Sequence, residues 1–291
     1  MSTMKRLASM DVAWSVRSAA ALLLVAASAC TAEAPPPPPP VAPSPPPPSA
    51  APTAAAFPAA KPVPVPPAIQ AVLDAPDRTE ADKKLDGGRH PGEMLAFFGI
   101  KPGMKVAELG AGGGYTAELL ARTVGPTGKV WGQNSRFLLE RFAEKPWSAR
   151  LATPIMKNVV RVDREFDDPL PPEATNLDAV IMVLFYHDTF WLKTDRAAMN
   201  RNILKALKPG GVYGIIDHSG RPGTGTAEVQ NLHRIEEKVV RDEIEAAGFK
   251  FVAEGDFLRN PNDTRDWNDA PGAAGERRGT SDWFVLKFVK P

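Results

Sequence analysis

Of the chain's 31 prolines, 17 fall between Pro35 and Pro67. Proline lacks a backbone N–H and fixes φ, so runs such as Pro35–Pro40 and Pro45–Pro48 neither continue a helix nor enter a sheet interior. They extend as polyproline II and act as spacers. Residues 30–67 are thereby removed from any compact core. Residues 68–291 remain as the folding unit, ample for one sizeable core and thin for two. As a spacer the segment tethers a domain; a ligand for a proline-binding domain is the rival reading.

The chain ahead of the spacer reads as an address. Lys5, Arg6 and Arg17 precede an apolar run, Ser18–Ala29, that closes on Ala27-Ser28-Ala29 before Cys30. A basic region, a short apolar region and a small-residue site describe a secretory signal, here residues 1–29. The run is shorter than the roughly 20 residues a bilayer span needs. A lone cysteine directly after small residues has the form of a bacterial lipoprotein signal, with Cys30 the lipid-modified residue that anchors the chain to a membrane. Ala27 stands where the usual lipobox has Leu, which leaves cleavage after Ala29 as the alternative. The expected location is the bacterial cell envelope, lipid-anchored or periplasmic. A misassigned start codon would place the chain in the cytoplasm instead. One cysteine makes neither an internal disulfide nor a CxxC zinc ribbon. A formal net charge of +1 argues against a nucleic-acid partner.

The folding unit alternates strands and helices. Helices are expected at Pro91–Phe98, Tyr115–Thr123, Arg136–Glu144, Asp195–Leu207 and, as one long helix, Glu228–Ala247. Strands are expected at Lys105–Leu109, Lys129–Gly132, Asn158–Val162, Leu177–Phe185, Val212–Ile216, Lys250–Glu254 and Asp282–Val289. Leu177–Phe185 is an uninterrupted apolar run, the mark of a strand buried on both faces. Such alternation makes a doubly wound, Rossmann-like α/β sheet. The last two strands, with no helix between them, form an antiparallel addition.

The most specific chemical signal is Glu108-Leu109-Gly110-Ala111-Gly112-Gly113-Gly114-Tyr115. Glycines at a strand-to-helix turn let backbone approach a ligand, and the helix start offers free N–H groups. The dinucleotide pattern G-x-G-x-x-G would need glycine at position 115, which is tyrosine. The pattern is instead E-x-G-x-G-x-G. Its acid would repel a pyrophosphate but not the ammonium and sulfonium of S-adenosylmethionine. A nicotinamide-dependent oxidoreductase is therefore disfavoured.

With Glu108–Gly114, the buried strand and Leu207-Lys208-Pro209-Gly210-Gly211 before a strand, the sequence resembles the class I S-adenosylmethionine-dependent methyltransferases over most of 89–291. It looks more narrowly like a group of bacterial predicted methyltransferases, some with export signals. That likeness rests on Arg89-His90-Pro91, Tyr186-His187-Asp188, Asp217-His218-Ser219, Leu232-His233-Arg234-Ile235 and Leu258-Arg259-Asn260-Pro261. The resemblance implies a seven-stranded, mostly parallel sheet with an antiparallel last strand. It implies that Glu108 organises the methionine end of the cofactor and that Gly110, Ala111, Gly112 and Gly114 pass beneath it. Gln133-Asn134 stand where such enzymes present an acid to the ribose, and an amide there lacks charge assistance. Asp163 stands where the adenine amino group is held. Leu184 and Phe185 would abut the cofactor, and Tyr115 and Tyr186 would flank it.

All four histidines are His90, His187, His218 and His233. His187 and His218 follow strands at the end where open α/β sheets bind ligands, and each adjoins an acid, Asp188 or Asp217. His187, Asp188, His218 and His233 are therefore the candidate catalytic set, one histidine taking a proton from the acceptor. The plainer reading is that they only hydrogen-bond strand-end loops. The spacing shows no recognised metal pattern and no metal ligand is assigned. In a variant, Asp188, Asp217 and a histidine hold a divalent cation. For Arg89 a cap, an ion pair and a substrate anion stay open. The expected function is methyl transfer from S-adenosylmethionine to a small O- or N-nucleophile. The alternative is an envelope-anchored, non-enzymatic ligand-binding lipoprotein on the same scaffold.

Overall fold

A computed structural model describes residues 63–291. The signal, Cys30 and nearly all of the spacer lie outside the described residues. In chain order the elements are α1 (Pro67–Leu73), α2 (Glu80–Arg89), α3 (Pro91–Phe98), β1 (Lys105–Leu109), α4 (Tyr115–Val124), β2 (Lys129–Asn134), α5 (Arg136–Leu138) and α6 (Glu144–Leu151). Then come β3 (Val159–Asp163), β4 (Leu177–Val183), α7 (Asp188–Trp191), α8 (Arg196–Ala206), β5 (Leu207–His218), α9 (Val229–Leu232), α10 (Glu237–Ala246), β6 (Lys250–Gly255) and β7 (Trp283–Val289). A π-helical turn, Leu139–Ala143, joins α5 to α6.

The seven strands form one sheet in the order β3-β2-β1-β4-β5-β7-β6. β7 runs antiparallel to both β5 and β6, and the pairs β1–β2, β1–β4, β2–β3 and β4–β5 are parallel. The doubly wound sheet with an antiparallel last strand is thus present. Side chains alternate across it as the strand period demands. Ala107, Leu109, Val180, Met182, Phe284 and Leu286 pack on one face with Met199, Ile203, Val240 and Ile244 of α8 and α10. Val106, Ala179, Ile181 and Val285 pack on the other with Leu95, Phe98, Ala117 and Leu120 of α3 and α4. Each fully buried aliphatic side chain contributes about 1.5–3 kcal/mol, so β4, dry on both faces, anchors the sheet. The same alternation turns Glu108 onto the α3/α4 face.

Several boundaries differ from the sequence reading: the helix expected at Arg136–Glu144 passes through the π-helical turn and runs on to Leu151, β2 and β3 reach Asn134 and Asp163, and three further differences shape the site. The β4 strand stops at Val183, because Leu184 turns to φ 55° while its N–H reaches the Ile216 carbonyl at 2.7 Å. The β5 strand starts at Leu207 and carries Lys208-Pro209-Gly210-Gly211 within it, Gly210 at φ 72° bonding the Lys290 carbonyl at 2.8 Å. The long helix Glu228–Ala247 is two helices. His233 takes the left-handed conformation at φ 53° and closes α9. The Ile235 N–H then bonds the His218 carbonyl at 3.1 Å, and the Gly220 N–H bonds the Ile235 carbonyl at 2.7 Å. This strand-like pairing with the end of β5 outcompetes helical continuation and fixes where His233 stands. Among the described residues no helix is long and apolar enough to cross a membrane.

Candidate functional site

The glycine loop leaves β1 and opens α4. Gly110, Gly112 and Gly114 all have left-handed φ, at 69°, 55° and 86°. A Cβ on Gly110 would lie 2.9 Å from the Phe185 ring, and one on Gly114 would lie 2.5 Å from Trp147. At Gly112 nothing stands within 4 Å, so this glycine fronts open space. Ala111 is buried in the wall of the loop.

Gln133 and Asn134 take a different part from the ribose contact expected of them. The Gly110 N–H donates to Gln133 Oε1 at 3.0 Å, and Gln133 Nε2 donates to the Arg164 carbonyl at 2.6 Å. Asn134 clasps Gly112 from both sides, accepting from its N–H at 2.8 Å and donating to its carbonyl at 3.1 Å. Both side chains are buried and spent on backbone. They hold the loop in its ligand-ready shape, work an amide does better than a carboxylate because it both donates and accepts. Arg150 of α6, which the sequence did not single out, bonds the Gly113 carbonyl at 2.8 Å and pairs with Asp82 and Glu118.

Glu108 lies beneath this loop, wholly enclosed. Burial pushes its carboxyl up to about 8, although Thr116 and the charges of Arg89 and Arg150 pull the other way. Its Oε2 is buried with no hydrogen-bond partner among the described residues. A buried, unpaired oxygen of this kind costs about 1–3 kcal/mol, and a cationic ligand group would relieve that cost. Tyr115 starts α4 with its hydroxyl donated to Asp86 at 2.6 Å and its ring 4.8 Å from the Arg89 guanidinium. Burial lowers the Arg89 pKa. Among the described residues this guanidinium has no carboxylate partner in an ion pair, and it stands in the last turn of α2, where a cation suits the helix end. Phe185 packs against Gly110 and stacks on Phe166 at 4.8 Å. Asp163 is exposed and paired with Arg161 at 2.8 Å. Tyr186 points away from the loop, its hydroxyl 2.9 Å from Glu243.

A second cluster forms one strand over, at the ends of β4 and β5. Asp217 is fully buried and accepts from His187 Nδ1 at 2.7 Å, from the His187 N–H at 2.8 Å and from the His218 N–H at 2.8 Å. The far nitrogen of His187, Nε2, lies 3.1 Å from Asp188 Oδ1 and 3.2 Å from His233 Nδ1. Burial opposes charge on His187, but the carboxylates of Asp217 and Asp188 outweigh it and raise its pKa to about 10. Burial also works against charge on Asp188, yet His187, His233 and Trp191 hold its carboxyl well below the usual carboxylate range. His218 sets its ring edge-on to that of His187, 5.3 Å between centroids, with Nδ1 2.5 Å from Asp269 Oδ2 and its other side against Trp283. The structure thus gathers all four candidate catalytic residues: His187, Asp188 and His233 meet through their polar atoms, and His218 packs on the His187 ring while its Nδ1 turns to Asp269.

Residues 69–149, which contain α4 and the whole glycine loop, match the protein-L-isoaspartate(D-aspartate) O-methyltransferase family. The chain is similar to a SAM-dependent methyltransferase from Aquifex aeolicus at TM-score 0.51 and 20% identity, covering 72% of this chain and 97% of that one. The fold is that of the S-adenosylmethionine-dependent methyltransferases. The [4+2]-cyclase SpnF is also similar, at TM-score 0.50 and 14% identity over 74% of this chain and 85% of that one. The methyltransferase fold therefore carries more than one chemistry, and activity has to be argued from the site.

Proposed function

We propose that the chain binds S-adenosylmethionine over the glycine loop and passes its methyl group to a small O- or N-nucleophile at the ends of β4 and β5. The observation that carries this reading is Glu108. An enclosed carboxylate with one unpaired oxygen, under a loop of three left-handed glycines, suits a ligand that brings positive charge beside an extended backbone. When bound, that cofactor supplies an electrophilic methyl on a sulfonium. The chain's own part is positional: Gln133, Asn134 and Arg150 fix the loop, Phe185 closes its strand side, and Arg89 offers a guanidinium to a carboxylate. Holding donor and acceptor in line is the main demand of such a transfer. The match of residues 69–149 to a methyltransferase family and the methyltransferase fold support it.

Calorimetric titration of the full chain with S-adenosylmethionine, S-adenosylhomocysteine and NAD tests it. Micromolar binding of the two sulfur compounds and none of NAD is expected. Failure of both to bind a folded protein refutes the proposal and favours the non-enzymatic lipoprotein.

Glu108 adds a pH signature. Its folded pKa of about 8 lies above the ordinary 4.5. Between those values the unfolded chain releases a proton that the folded state keeps, so stability falls as pH rises from about 4.5 to about 8. The slope approaches 1.4 kcal/mol per pH unit. Glu108→Gln should abolish the slope in denaturant unfolding at pH 5, 6, 7 and 8. It should equally remove the rise of S-adenosylmethionine affinity over pH 6–8 that ionisation of Glu108 gives the wild type. Parallel pH profiles for the two proteins would refute the assignment.

Envelope anchoring through Cys30 belongs to the same proposal. Processing that is blocked by globomycin and by Cys30→Ala would support it, and processing unchanged in both would refute it.

A further inference from the structure

We infer that His187 Nε2, Asp188 Oδ1 and His233 Nδ1 are the protein ligands of a single divalent transition-metal ion. These atoms, two ring nitrogens and one carboxylate oxygen, form a triangle with sides of 3.1, 3.2 and 3.3 Å. Charge-assisted hydrogen bonds run shorter, about 2.7–2.9 Å, and the adjoining His187–Asp217 contact does so at 2.7 Å. The three sides are nearly equal and lie at the long end of the hydrogen-bond range. The triangle fits one ion. With metal–ligand bonds of about 2.0–2.1 Å, sides of this length correspond to angles of roughly 100° at the metal, between octahedral and tetrahedral.

The surroundings are those of a metal centre. His187 presents Nε2 because its Nδ1 is committed to Asp217, the carboxylate–histidine pairing that orients metal-bound imidazoles. Asp188 Oδ1 is oriented in turn by the indole N–H of Trp191, 2.7 Å away. Asp217 is a positioning residue and not a ligand, since both its oxygens are taken by His187 and the His218 N–H. The helix break at His233 brings in the third ligand. One side of the triangle is open: the His233 and Asp188 side chains are 24% and 15% exposed, against 2% for His187. An ion can therefore enter, and three protein ligands leave positions free for an oxygen of water or substrate. Two imidazoles and a single carboxylate suit zinc, iron(II) or cobalt(II) and not magnesium or calcium, which take oxygen-rich sets. The inference stands on this triangle and does not depend on the cofactor reading.

The test is titration of chelator-treated full chain with Co2+, read by visible absorption and by metal analysis after gel filtration, with Mg2+ as control. One equivalent of Co2+ with ligand-field bands, displaced by Zn2+, is expected, and no binding of Mg2+. His233→Gly removes a ligand while keeping the left-handed backbone, which glycine accepts freely, and should abolish the bands in a protein of unchanged fold. Asp217→Asn should weaken binding by about 10–100-fold. His90→Ala, remote from the triangle, should leave it intact. A wild type that binds no Co2+, or a folded His233→Gly that binds it equally well, overturns the assignment.

Discussion

Arg234→Ala is expected to cost about 3–5 kcal/mol of stability, the penalty for breaking a buried ion pair on one side. Arg234 is fully buried. It donates to Asp263 at 2.7 Å and to the carbonyls of Ser219 and Trp267 at 3.2 Å each, with its guanidinium 4.6 Å from the Trp267 ring. Its removal takes the counter-charge from Asp263, whose side chain is 1% exposed and keeps only neutral donors, the Arg265 and Asp282 N–H groups and the Trp267 indole, and it leaves two carbonyls without their donor. A domain holds only about 5–15 kcal/mol in all, so the loss should be plain in urea unfolding. It should spread to the site, because the segment that Arg234 pins also carries Asp269, the partner of His218. Asp263→Asn added to Arg234→Ala should recover part of the loss, since no buried charge then lacks its counter-charge. A single-variant loss below about 1 kcal/mol would show that the pair is replaceable by water, as surface pairs are.

The second large effect separates folding from binding within one loop. Gly114→Ala forces a left-handed alanine, costing about 1–2 kcal/mol. It also drives a methyl into Trp147 at 2.5 Å and Arg150 at 2.9 Å, an overpacking worth about 1–3 kcal/mol more. Gly112→Ala carries the same backbone penalty but meets nothing within 4 Å. Its stability should therefore drop by only about 1–2 kcal/mol. Its S-adenosylmethionine affinity should nevertheless fall at least tenfold, because the methyl enters the space the loop holds open. Unfolding curves and calorimetry on both variants check the contrast. Unimpaired affinity in Gly112→Ala would mean that the ligand sits elsewhere.

Much of this molecule can be read from its residues, for identifiable reasons. Leu177–Val183 announces itself because burial on both faces removes every polar alternation. The glycine loop announces itself because few conformations other than left-handed ones demand glycine at every second position. What stayed hidden depends on contacts distant in sequence. The helix break at His233 follows from Ile235 pairing with the end of β5, which no helical period reveals. Gln133 and Asn134 were noticed for their position, but their task was set by loop carbonyls and N–H groups 22 or 23 residues away. Arg150 and Arg234 look like surface cations in sequence and are drawn in, Arg150 partly and Arg234 fully, only through acids 68 and 29 residues distant. The His187–Asp188–His233 triangle has no motif spacing because its third member arrives through that same break.

The placement of β7 has a consequence in time. Of the sheet's seven strands it is the last to be synthesised, yet it lies inside the sheet, hydrogen-bonded to β5 and β6 on either side. Until residues 283–289 emerge, β5 has no antiparallel neighbour and β6 has nothing to pair with. Phe284, Leu286 and Phe288 are likewise missing from the core. The nascent chain therefore waits as an incomplete sheet with an open edge, and its final cooperative closure is a late event. A ribosome-stalled or truncated product lacking this strand loses the seam of the sheet and not a dispensable rim.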